Sequence, residues 1–77
     1  MKNIIQVHIY KGEKYYIAEC FDLPVVTQGE TLDELILNLK EAIELQLAGE
    51  NLANFDLAAK PSIVANLEID SLIYAKA

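Results

Sequence analysis

A chain of 77 residues fits one domain, and a domain of this size gains little net stability from a single core. The lone Cys20 excludes an internal disulfide, and one Cys with one His is too small a set for a structural zinc site, so a sequence 53% hydrophobic is expected to self-associate or to cover a partner. The net charge of −6, from 12 acidic residues against 6 lysines and no arginine, argues against direct DNA or RNA contact and suits a basic protein partner.

Residues 4–10 alternate as a strand, with Ile5, Val7 and Ile9 on one face and Ile4, Gln6, His8 and Tyr10 on the other. Lys11, Gly12 and Glu13 then turn the chain, with Gly12 free to supply a positive φ. Residues 14–20 fold back antiparallel, placing Tyr16, Ala18 and Cys20 on one face and Tyr15, Ile17 and Glu19 on the other. Pro24 breaks the pattern because it lacks an N–H and pushes Leu23 toward extended geometry. Residues 25–28 make a short third strand that Gly29 ends.

Thr31 and Glu34 form a Thr-x-x-Glu capping box, and Glu30, Asp33 and Glu34 suit the positive end of a helix dipole. Leu32, Leu35, Ile36, Leu39, Ala42, Ile43 and Leu47 recur at helical spacing as one apolar stripe. The helix is expected over residues 32 to about 48, stopped by Gly49. Residues 49–62 read as a loop ending near Pro61, and residues 63–69 as a last strand that residues 72–74 extend or pair beside. The order strand, strand, strand, helix, strand predicts a two-layer α+β domain with sheet order 3-2-1-4 and one bare sheet face.

No signal peptide is visible, since Met1-Lys2-Asn3 leads into a short apolar stretch broken by Gln6 and His8. No run reaches the ~20 apolar residues a membrane helix requires, and cytoplasm is the expected location.

Strands in this order resemble the first part of a ribonuclease H fold, whose metal chemistry needs converging carboxylates, one of them from the first strand. Residues 4–10 contain none. Glu19, Glu68 and Asp70 read instead as a solvated sheet face, and His8 as a half-exposed strand residue. Cys20 lacks the His partner of a catalytic thiol and reads as a small core residue. Stacking of nucleobases on Tyr10, Tyr15, Tyr16 or Tyr74 would call for a basic groove, so these rings favour a protein interface. Leu37 and Leu45 fall outside the helical stripe, and Ile4, Ile17 and Val64 lie on the outer sheet face. That is more apolar surface than one domain hides. The candidate interface residues are Tyr10, Tyr15, Ile17, Leu37 and Leu45; no catalytic, metal or cofactor site is assigned.

Three segments together resemble the HicB-like antitoxins: Tyr-Ile-Ala-Glu-Cys-Phe-Asp-Leu-Pro (16–24), Thr-Gln-Gly-Glu-Thr-Leu-Asp-Glu (27–34) and Asn-Leu-Lys-Glu-Ala-Ile (38–43). The resemblance implies a partial ribonuclease H-like fold, homodimers or larger assemblies, and inhibition of a small basic HicA-type toxin that cleaves messenger RNA. Family sequences usually continue the turn as Leu-Pro-Gly, whereas Val25 follows Pro24 here, so a different local turn is expected. Many members carry a C-terminal DNA-binding segment, and this sequence, running out at Ala77, is expected to have none. The expected function is a non-enzymatic antitoxin; the alternative is a homo-oligomeric binding module without a toxin.

Overall fold

The computed structural model describes residues 2–49 and 57–69. Strand β1 spans Lys2–Lys11, β2 Tyr16–Cys20 and β3 Val26–Gly29; helix α1 covers Leu32–Leu47, and β4 covers Leu57–Leu67. The strands form one sheet in the order β3-β2-β1-β4, with β1/β2 and β2/β3 antiparallel and β4 parallel to β1. This is the α+β topology and strand order expected from the sequence.

The period-two pattern of β1 sets the two faces. Ile5, Val7 and Ile9 are buried on the helix side with Ala18 of β2, while Ile4, Gln6, His8 and Tyr10 point away. From α1, Leu35, Leu39 and Ile43 complete the core, and Leu32, Ala42 and Leu47 pack at its margin. Ile36 stays 44% exposed although it belongs to the same apolar stripe. The buried arc is centred on Leu35, Leu39 and Ile43, and α1 packs on β3 and β2, so the flank carrying Ile36 is left uncovered.

Thr31 is the N-cap in extended geometry, and its Oγ1 accepts a hydrogen bond from the Glu34 N–H at 3.1 Å. Asn38 donates from Nδ2 to the Gln28 carbonyl at 2.8 Å, tying α1 to β3. Gly49, at φ +74°, follows the C-cap Ala48 and ends the helix as its sequence position predicts.

Three local expectations change. Gly12 does not use a positive φ; its turn closes through a Gly12 N–H to Tyr15 carbonyl bond of 2.7 Å, which takes residues 14 and 15 out of β2. At Pro24 the Val25 N–H bonds back to the Leu23 carbonyl at 2.7 Å, a tight three-residue turn, and Cys20 donates to the Val25 carbonyl at 3.0 Å. Val25 is thereby turned into the core, where a glycine would leave a void. Finally, β4 begins at Leu57 and runs through Pro61, rather than beginning at residue 63. Its register shifts between the Lys2↔Leu57 and Ile4↔Ser62 pairs, and this irregular stretch breaks the alternation that marks residues 63–67 as strand. Pro61 is tolerated because β4 is a sheet edge. Residues 72–74, with Tyr74, and Asp70 lie outside the described residues.

Candidate protein-binding surface

Helical spacing decides which side chains line the solvent face of α1. Leu35, Leu39 and Ile43 point into the core, so Leu37, Lys40, Glu41, Glu44 and Leu45 project away from it. Leu37 is 67% exposed and Leu45 71% exposed, with Asp33, Glu34, Glu41 and Glu44 exposed around them. Lys40 is the sole cation on this face of α1. The result is a ridge of two large apolar side chains set among four carboxylates. Such a surface offers apolar anchors and a negative field at once.

The outer sheet face carries the second group. Antiparallel pairing sets His8 opposite Glu19 and Tyr10 opposite Ile17, and the parallel ladder sets His8 beside Asn66. The Tyr10 hydroxyl donates to Glu19 Oε1 at 2.8 Å, and its ring lies 5.6 Å from that of His8, centroid to centroid. His8 Nε2 is 3.5 Å from Glu68 Oε1. The hydrogen bond to Glu19 raises the Tyr10 pKa, with partial desolvation and the Glu19 and Glu68 charges adding in the same direction. Glu19 and Glu68 are thus engaged with different aromatic side chains. Among the described residues, no three His, Cys, Asp or Glu side chains come together as a metal site.

The five candidate residues therefore do not form one patch. Leu37 and Leu45 share the helix ridge, whereas Tyr10 and Ile17 share the opposite surface of the molecule. Tyr15 stands in the β1–β2 turn, half-buried, with its carbonyl closing that turn. The acidic members of the ridge follow from helical spacing, since Asp33, Glu34 and Glu41 lie three or four residues from Leu37 or Leu45 and Glu44 lies seven from Leu37. Phe21 and Val26 are further exposed apolar residues that strand alternation alone did not single out. Cys20 packs against the core, and burial, aided by the nearby Asp22 carboxylate, pushes its thiol pKa up. A raised pKa suits a structural thiol.

A third feature lies on the helix side of β4. An open groove of about 310 Å³ is lined by Lys11, Tyr16, Leu32, Leu67, Glu68 and Ile69, with Lys11 Nζ 4.4 Å above the Tyr16 ring. Among the described residues, no helix is long and apolar enough to cross a membrane. No family model, curated protein or solved structure matches this chain.

Proposed function

We propose that this chain is a HicB-like antitoxin domain that binds and neutralises a small basic toxin cleaving messenger RNA, and catalyses no reaction itself. The observation that carries this reading is the α1 ridge, where Leu37 and Leu45 stand exposed among Asp33, Glu34, Glu41 and Glu44. An acidic chain without arginine repels nucleic acid and attracts a protein that binds it. The antitoxin-like segments between residues 16 and 43 include most of β2, β3 and α1, the elements that build and support this ridge. On this reading the inhibitor shields the cationic surface by which the toxin holds its RNA, and it does so in the cytoplasm.

Co-expression with a small basic protein encoded next to this chain tests the proposal. A stable complex is expected, weakened by salt because its attraction is partly ionic. The Glu41→Lys/Glu44→Lys double variant should weaken binding about tenfold or more, which corresponds to about 1.4 kcal/mol. Failure of the wild-type pair to associate at low salt contradicts the reading.

A second reading, a self-assembling module without a toxin, is favoured by the apolar exposure of β4. It makes the ridge irrelevant to function. Charge reversal on α1 would then leave every phenotype unchanged.

A further inference from the structure

The groove beside β4 differs in charge from the rest of this acidic chain. Lys11, the last residue of β1, lies opposite Tyr16 of β2 and shares the helix-side face with Ile5, Val7 and Ile9. Its Nζ stands 4.4 Å from the centre of the Tyr16 ring, a cation–π contact that holds the ammonium at the groove. Among the described residues it has no ion-pair partner. Glu68 also borders the groove, but its carboxylate is 3.5 Å from Nε2 of His8, which belongs to the opposite face of the sheet. In a chain of net charge −6, this groove therefore presents one unpaired cation.

The remaining walls are apolar. Tyr16 and Leu32 pack against the core, while Leu67 is 46% and Ile69 77% exposed, because α1 rests on β3 and β2 and leaves the β4 side of the sheet uncovered. The groove volume of about 310 Å³ is roughly twice the ~150 Å³ of a cavity that accepts benzene. We propose that the groove binds a small monocarboxylate carrying a bicyclic aromatic group. Its rings lie on Tyr16, Leu32, Leu67 and Ile69, and its carboxylate meets the Lys11 ammonium.

Charge selects this class of ligand over others. A cationic ligand is repelled by Lys11, and a neutral arene leaves the ammonium without a counter-charge. Leu32 opens α1, so the exposed Asp33 and Glu34 stand close behind it and repel a second negative charge on the ligand. A single carboxylate is thus matched to the single ammonium, whereas a phosphate or a dicarboxylate is not. The inference is independent of any toxin. Leu37, Glu41, Glu44 and Leu45 lie more than one turn farther along α1, so the ridge stays open when the groove is filled.

Titration of naphthylacetate into the isotopically labelled full chain, followed through amide NMR shifts, tests the proposal. Saturable shifts should centre on Lys11, Tyr16, Leu32 and Leu67, with a dissociation constant of roughly 0.1–1 mM for so small a ligand. Naphthylacetamide, with the same rings and no charge, should bind about fivefold more weakly, and inorganic phosphate should not saturate the groove. Lys11→Gln should reduce affinity for the acid to that for the amide, and Lys11→Arg should keep the difference. Ile69→Glu, a change at an exposed position, should weaken binding of the acid more than of the amide. Absence of saturable shifts at millimolar naphthylacetate, shifts centred away from the groove, equal affinity for acid and amide, or an unaltered preference in Lys11→Gln overturns the inference.

Discussion

A Cβ placed on Gly29 would stand 2.6 Å from the backbone nitrogen of Leu35 and 2.8 Å from its Cα. Glycine at the end of β3 is therefore what lets the first turn of α1 lie directly on the sheet. Leu35 is fully buried at that contact. Gly29→Ala forces backbone apart and should cost about 1–3 kcal/mol in urea unfolding, the usual range for overpacking. Gly49→Ala probes a different effect, because Gly49 has open space around its Cα and a φ of +74°. Its cost should be strain alone, about 1 kcal/mol.

The cap at Thr31 contributes a smaller, separable amount. Thr31→Ala removes the acceptor of the Glu34 N–H and should lower stability by about 1 kcal/mol, whereas Thr31→Ser should largely restore it. Equal losses in both variants would show that the hydroxyl bond is not the source.

Tyr10 should titrate above the ordinary tyrosine range in an ultraviolet titration, because its hydroxyl donates to Glu19 and ionisation would destroy that bond. With the folded-state pKa raised, the folded chain holds its proton more tightly than the unfolded chain. Its contribution to stability is present below pH ~10 and lost as pH rises through the folded pKa. Glu19→Gln removes the charge and should bring the titration back toward the ordinary value.

Cys20 should react slowly with an uncharged thiol reagent at neutral pH, since burial and the Asp22 charge both disfavour the thiolate. Partial unfolding in urea should accelerate labelling. Labelling of the native chain as fast as that of a free thiol would contradict the packing of Cys20 against the core.

Regular periodicity made most of this fold legible in the sequence. Ile5, Val7 and Ile9 alternate without interruption, and Leu35, Leu39 and Ile43 recur behind a capping box, so β1 and α1 emerge with their buried faces assigned. Irregular backbone hid the rest. The bulge before Ser62 concealed the first part of β4, although Leu57 is one of the most buried residues. The role of Gly29 depends on how close α1 comes, which no local pattern encodes. Burial of Val25 follows from the turn at Pro24, where strand alternation no longer applies. The interface candidates fared similarly. Leu37 and Leu45 are identifiable as apolar residues on a polar helix face, and strand alternation already sets Tyr10 and Ile17 on the bare sheet face away from them.

The proposed inhibition is tested most directly by titrating this chain into a messenger-RNA cleavage assay of the small basic protein encoded beside it. Cleavage should fall to background near one chain per toxin. The Glu41→Lys/Glu44→Lys variant should require about tenfold more protein. Undiminished cleavage in the presence of a large excess of the wild-type chain would contradict it.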